Sequence, residues 1–186
     1  CNSADTVSKI LLDITHIGNY SCMGIFEFGK HTSTCILNIP EGVISIGEHA
    51  FSYCNNLTSV TIPDSVTSIG EDAFYNSKVQ RVRMPYIEEV GIQAFLYCMS
   101  LVFVEAPLLE KIDQYAFYGC TELDSFVFGE NMQYIAGNAF CGTGITSFKM
   151  HPNNKNLYTD GKGIYSKSEL LAVVPNDKAL DYEIKG

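Results

Sequence analysis

Tryptophan is absent from this 186-residue chain, arginine occurs only twice, and no apolar run is long enough to cross a membrane as a helix. The chain has 12 basic and 21 acidic residues, which gives a formal net charge of −9. Nucleic-acid binding needs a basic face that displaces counterions from phosphates, so the charge argues against that partner. A hydrophobic fraction of 46% still provides material for a core, and the length fits one domain.

Motifs for the common catalytic and metal sites are missing as well. The seven cysteines include no C-x-x-C pair, the four histidines are scattered, and no P-loop, G-x-G-x-x-G or G-x-S-x-G motif occurs. Asp160-Gly161 lacks the alternating acidic residues of a calcium loop and indicates a turn. We therefore expect no cofactor, no metal and no enzymatic activity, although a Ser-His-Asp group assembled only by folding stays open.

The dominant feature of the sequence is a repeat of about 22 residues. Its clearest marker is the dipeptide Ala-Phe, and one complete unit runs from Leu57 to Phe74. The apolar residues that surround the dipeptide recur in register with it. The Ala-Phe pairs lie at 50–51, 73–74, 94–95, 116–117 and 139–140.

Each repeat is interpreted as one coil of a solenoid, because no coil can bury its apolar face alone. The alternating run Val60-Thr61-Ile62 predicts a strand, and Pro63 ends it. A second extended piece reaches the Ile69-Gly70 bend, and the Ala-Phe segment predicts a single helical or 3₁₀ turn. We expect parallel strands on one face, irregular turns on the other, and an interior phenylalanine column. The predicted column contains Phe74, Phe95, Phe117 and Phe140.

The pattern L-x-x-V-x-I-P-x-x-V-x-x-I-G-x-x-A-F-x-x-C resembles the BspA-like class of leucine-rich repeats, and residues 34–150 carry five copies. Two copies lack one residue after the proline, and Gly129 replaces the proline of the last. The resemblance implies a repeat solenoid of leucine-rich-repeat type: a right-handed β/α superhelix, β-rich with short helical or 3₁₀ turns. Residues 151–186 are similar to the family's β-hairpin insertion, followed by a truncated end. Residues 1–33 fit worst and are interpreted as an N-terminal cap or degenerate repeat.

Three cysteines occupy one position of the repeat, three residues after the phenylalanine. They are Cys54, Cys98 and Cys120, and Ser77 and Thr143 replace them in the other coils. A column of small, weakly polar side chains predicts an internal ladder of buried thiols, in which we expect no disulfide.

Two further features of the cysteines stay open. A Cys22–Cys35 disulfide near the cap is one alternative for that pair. Cys1 fits the acylated first residue of a bacterial lipoprotein, and the competing interpretation is an arbitrary boundary of the chain. A lipid on Cys1 would be the protein's only route to a membrane.

The residues between the inward-facing strand positions predict an exposed, concave surface. Both arginines, Arg81 and Arg83, fall on one strand of it, and the next strand presents Phe103 and Glu105. Arginine and aromatic residues are enriched in binding hot spots, so these four residues form a candidate binding patch. The competing interpretation is local: Arg83 pairs with Glu105, and Arg81 covers the ring of Phe103. The predicted columns are 36, 59, 81, 103, 125 and 147, and 38, 61, 83, 105, 127 and 149.

The family resemblance implies a function as well as a fold. BspA-like proteins are surface proteins of mucosal microbes implicated in adhesion to host proteins and in bacterial co-aggregation. We therefore expect a secreted, extracellular module at the cell surface that binds a protein of the host matrix or of a microbial surface. The alternative is a structural spacer or scaffold domain of a larger surface protein.

Overall fold

Each coil contributes two short strands, and equivalent strands of successive coils pair in parallel. This arrangement is seen in a computed structural model, which describes residues 15–23, 35–167 and 169–173. The strands are β1 His16–Ile17, β2 Cys35–Asn38, β3 Ser45–Ile46, β4 Leu57–Thr61, β5 Ser68–Ile69, β6 Arg81–Arg83, β7 Glu89–Val90, β8 Phe103–Glu105, β9 Lys111–Ile112, β10 Val127–Phe128, β11 Tyr134–Ile135, β12 Lys149–Met150, β13 Tyr158–Thr159, β14 Gly163–Tyr165 and β15 Leu170–Val173.

The first strand of each coil forms the sheet that the sequence predicts. Four strands pair in the order β2-β4-β6-β8, and β10 pairs with β12 in a separate ladder. Val60 lies opposite Val82, and Val82 lies opposite Val104, with all three strands parallel. The expected parallel register is therefore confirmed, and the sheet is interrupted between β8 and β10.

A second parallel sheet occupies the side where the sequence predicts irregular turns. It contains six strands in the order β1-β3-β5-β7-β9-β11. Each of these two-residue strands buries one branched apolar side chain, such as Ile46, Ile69 or Ile112. The short extended pieces lie at a constant offset in every coil, so their main-chain groups pair across the coils. The prediction of irregular turns on this side is therefore wrong.

The Ala-Phe turns are not helical, and none of the described residues lies in a helix. Asp72 and Asn76 have φ values of 53° and 51°, in the left-handed region, which interrupts any helical run. The N–H of Phe74 donates to the carbonyl of Ala94 in the next coil at 2.8 Å. The main-chain hydrogen bonds of the turns thus run largely along the solenoid axis, from one coil to the next. Turn residues with left-handed φ values replace the expected helical or 3₁₀ turn.

A column of stacked phenylalanines fills the interior, as predicted. Phe95 lies 5.0 Å from Phe74 and 5.4 Å from Phe117, measured between ring centroids, and the planes are nearly parallel. Phe51 extends the column at one end and Phe140 at the other. The alanine before each phenylalanine is buried as well, which lets neighbouring coils approach closely.

The two ends of the described chain differ. His16 and Ile17 pair with Ser45 and Ile46, so the segment 15–23 stacks on the first full coil. At the other end, strands β13, β14 and β15 form the antiparallel sheet of the expected hairpin. The boundaries 1–33, 34–150 and 151–186 stay predictions, and most of the cap lies outside the described residues. No helix in the described part of the chain is long and apolar enough to cross a membrane.

Candidate functional site

The four residues of the candidate patch lie together on the outer face of the first sheet. Arg81 lies opposite Phe103, and Arg83 lies opposite Glu105, on adjacent strands β6 and β8. The guanidinium carbon of Arg81 stands 5.5 Å from the centre of the Phe103 ring. The Nε of Arg83 donates to Oε1 of Glu105 at 3.4 Å. These four residues are called the arginine patch below.

Within the arginine patch, Arg83 pairs with Glu105 and Arg81 covers Phe103, as the local interpretation predicts. The side chains nevertheless remain accessible to solvent. The side chains of Arg83 and Glu105 are 57% and 45% exposed, and Phe103 is 43% exposed. Two more apolar residues, Ile36 on the same sheet and Val127 on the separate β10–β12 ladder, are over 60% exposed. A surface can hold its own side chains in place and still present them to a partner, so these contacts leave both interpretations standing.

The cysteine ladder is buried, as the sequence predicts. The thiol of Cys98 donates to the carbonyl of Phe74 at 2.9 Å, and that of Cys120 donates to the carbonyl of Phe95 at 3.1 Å. Burial raises the pKa of Cys98 to about 12 and raises the pKa of Cys120 well above its usual value. Because both thiols are buried and protonated, they are unreactive at neutral pH.

The other cysteines have separate outcomes. Cys22 is a buried free thiol, so the Cys22–Cys35 disulfide left open by the sequence is not formed. Cys141 is free and exposed. Cys1 lies outside the described residues, and its lipid stays a prediction.

Folding does bring a serine, a histidine and an aspartate together. Nδ1 of His49 lies 3.1 Å from Oγ of Ser52, and its Nε2 lies 3.5 Å from Oδ2 of Asp72. The hydroxyl of Ser52 is fully buried and donates to the main-chain carbonyl of Asp72 at 2.7 Å. A nucleophile must reach its substrate, so this serine is not placed for acyl transfer. Sequence spacing gave no sign of the group, because Asp72 belongs to the coil after the one that holds His49 and Ser52.

The second sheet carries acidic side chains on its outer face. Glu88, Glu89 and Glu110 line an open cleft of about 570 Å³ together with Lys111 and Tyr134. Hydrogen bonds to Asp113 and then Glu89 raise the pKa of Lys111. The cation thereby neutralises part of the acidic face. Among the described residues, no group of three His, Cys, Asp or Glu side chains is arranged to hold a metal ion.

Equivalent residues of successive coils pair with one another, so the repeat is the structural unit that this chain can share with known proteins. The family model of the BspA type leucine rich repeat region matches residues 15–108 and 86–172, with six copies. The chain belongs to the BspA-type leucine-rich repeat family. The resemblance seen in the sequence is thus confirmed, and the first match begins at residue 15, within the segment interpreted as a cap.

Solved structures share the leucine-rich repeat fold. A leucine-rich cell surface protein from Faecalibacterium prausnitzii A2-165 is 24% identical, with a TM-score of 0.55 over 83% of this chain and 47% of its own. A leucine-rich repeat protein from Bacteroides ovatus is 23% identical, with a TM-score of 0.62 over 76% and 35%. The pneumococcal vaccine antigen PcpA is 20% identical, with a TM-score of 0.59 over 75% and 46%.

At these identities the structural likeness establishes the fold alone. The chain spans less than half the length of each of these three proteins. None of the curated proteins matches it. BspA-type leucine-rich repeats are generally non-catalytic modules that bind proteins or act as scaffolds.

Proposed function

We propose that this BspA-type repeat protein binds a protein partner through the arginine patch. One observation carries the proposal: the only two arginines of a chain with net charge −9 share one exposed strand, beside an exposed phenylalanine on the next strand. The patch is therefore a local positive spot in a negative field. Such a spot attracts an acidic or carbonyl-rich segment of a partner.

The chemistry of the arginine patch fits that class of partner. Arg83 uses its Nε–H for Glu105, and its terminal nitrogens can still form the planar, paired hydrogen bonds that recognise carboxylates. Phe103 supplies an apolar surface next to Arg81. Because local contacts already hold both guanidinium groups, less side-chain entropy is lost when a partner binds.

The proposed setting is the bacterial cell surface, where the partner would be a host matrix protein or a microbial surface protein. The structural neighbour from Faecalibacterium prausnitzii is described as a cell surface protein, which supports this setting. Secretion and a lipid on Cys1 belong to the same proposal. Adhesion would then be the role of the module within a larger surface protein.

A pull-down from host matrix and microbial surface extracts tests the proposal. We expect the wild type to capture a partner that an Arg81→Glu/Arg83→Glu variant loses. Lys155→Glu/Lys167→Glu is the matched control, because it changes the net charge equally at two exposed lysines of the C-terminal part of the chain. Equal recovery by the wild type and the arginine variant would reject the patch.

The second candidate function is a structural spacer that holds another domain away from the cell. The observation in its favour is that Arg83–Glu105 and Arg81–Phe103 already satisfy one another. A spacer tolerates charge reversal anywhere on this face. Capture of no specific partner by the wild type, the arginine variant or the lysine control would favour it.

A further inference from the structure

His49 joins the first described segment to two successive coils. Its ring stacks on that of Tyr20, with 4.9 Å between centroids and 17° between planes. Its main-chain N–H donates to the carbonyl of Glu71 at 3.0 Å. On either side, the N–H groups of Tyr20 and Cys22 donate to the carbonyls of Glu48 and Ala50, both at 2.8 Å. The side chain of His49 thus lies where the segment 15–23 meets the rest of the solenoid.

The hydrogen bonds of Ser52 determine which nitrogen of His49 carries a proton. A serine hydroxyl has one proton, and that of Ser52 is donated to the carbonyl of Asp72 at 2.7 Å. Oγ of Ser52 must therefore accept from Nδ1 of His49, 3.1 Å away. In a neutral imidazole only one nitrogen is protonated, so Nε2 would then be bare.

Carboxylate oxygens face Nε2 of His49. Oδ2 of Asp72 is 3.5 Å away and Oε1 of Glu48 is 3.7 Å away. A bare Nε2 has only a lone pair to offer these acceptors, whereas a protonated Nε2 attracts both. Proton uptake therefore converts an unfavourable contact into two ion pairs and turns the contact with the Tyr20 ring into a cation–π contact.

Hydrogen bonds hold these acceptors in position. When the Gln93 amide is oriented to satisfy both of its ends, its nitrogen donates to both oxygens of Asp72, at 3.2 and 3.1 Å. Tyr20 donates its hydroxyl to Oε1 of Glu48 at 3.2 Å. Burial raises the pKa of Asp72, and the charge of His49 opposes that effect. The titratable groups around the imidazole are Tyr20, Glu48, Glu71 and Asp72.

We infer that His49 is a proton-operated clasp: protonated on both nitrogens, it fastens the segment 15–23 to the solenoid, and deprotonated it loosens that junction. The inference concerns regulation of the fold and does not depend on the arginine patch. Because the fastened state binds a proton that the loosened state lacks, the junction weakens as pH rises. Acidic surroundings therefore fasten the clasp.

Amide hydrogen exchange and NMR on the intact chain test the clasp. We expect exchange at Tyr20 and Cys22, corrected for its intrinsic pH dependence, to be about two- to fivefold slower at about pH 5.5 than at about pH 8. Imidazole ¹⁵N shifts should show a proton on Nδ1 at both pH values and one on Nε2 only at the lower pH.

Three variants complete the design. His49→Gln should remove the pH dependence of exchange, and Asp72→Asn should reduce it while leaving the histidine in place for NMR. His151→Gln is the matched control, since this exposed histidine lies near Glu130 at the other end of the chain, with 3.9 Å between Nδ1 and Oε2. Undiminished pH dependence in His49→Gln, or a protonated Nε2 and a bare Nδ1 at pH 8, would overturn the inference.

Discussion

Buried side chains of this protein stack on their own counterparts in neighbouring coils, so the contribution of a residue depends on how many neighbours it has. Phe95 is fully buried and contacts a stacked ring on each side. Cys98 and Cys120 occupy equivalent positions in the same way, and each thiol donates a hydrogen bond to a main-chain carbonyl of the preceding coil. Substitutions in the central coils should consequently be the most damaging ones.

Replacement of Phe95 by alanine should lower the free energy of unfolding by about 3–5 kcal/mol. The ring is enclosed by Phe74 and Phe117, so the coils cannot collapse into the hole. Urea denaturation of the wild type and the variant measures the loss. Phe103→Ala is the control, because that ring is exposed and should cost far less. A loss below about 1 kcal/mol for Phe95→Ala would contradict the enclosed column.

The bend that follows each strand of the second sheet is tight in the first coils and looser later. A Cβ on Gly70 would lie 2.7 Å from the main-chain nitrogen of Glu48, closer than side chains tolerate. At Gly91 the nearest atom, the carbonyl oxygen of Ile69, would be 3.2 Å away. The next coils carry Asp113 and Ala136 at this position. Glycine is thus required by close backbone approach in some coils and is dispensable in others.

Gly70→Ala should therefore destabilise the protein by about 1–3 kcal/mol, since main-chain atoms of the neighbouring coil must move. Gly91→Ala is the matched substitution at the equivalent position, and we expect it to change stability by less than about 1 kcal/mol. Thermal and urea unfolding of both variants provide the comparison. Equal losses in the two variants would show that backbone proximity does not control this bend.

Charge distribution is a property of the whole molecule. A net charge of −9 makes the average field around the protein repel acidic partners, and a local positive spot can still attract one. The second sheet carries Glu88, Glu89 and Glu110, and the first sheet carries both arginines. The two sheets therefore present different electrostatic surfaces. On the first sheet two arginines lie beside the exposed ring of Phe103, whereas on the second sheet Lys111 lies opposite Tyr134 and donates to Glu89 and Asp113.

Binding through the arginine patch should weaken with salt, because the Debye length falls from about 10 Å at 0.1 M to about 3 Å at 1 M. Arg81→Ala/Arg83→Ala should reduce affinity for a captured partner while changing stability by about 0–1 kcal/mol, as expected for exposed ion pairs. Titration calorimetry and urea unfolding measure the two effects. An early-unfolding double variant that binds normally once folded would identify the arginines as structural residues.

The sequence alone determined the architecture of the coil. Apolar residues recur every 21–23 positions, and only stacked coils can bury such a set, so the parallel register, the phenylalanine column and the thiol ladder all followed from spacing. The members of the arginine patch were also predictable, because equivalent positions of adjacent coils become neighbours.

Tertiary structure alone decided the features that depend on contacts between coils. The second sheet forms because main-chain groups of short extended pieces pair across coils, and the left-handed turn residues direct hydrogen bonds along the axis instead of along the chain. The clasp at His49 needs Tyr20, Ser52 and Asp72 from three different segments. Spacing specifies which residues are neighbours, but hydrogen-bond direction and atomic distance arise only when the coils are packed together.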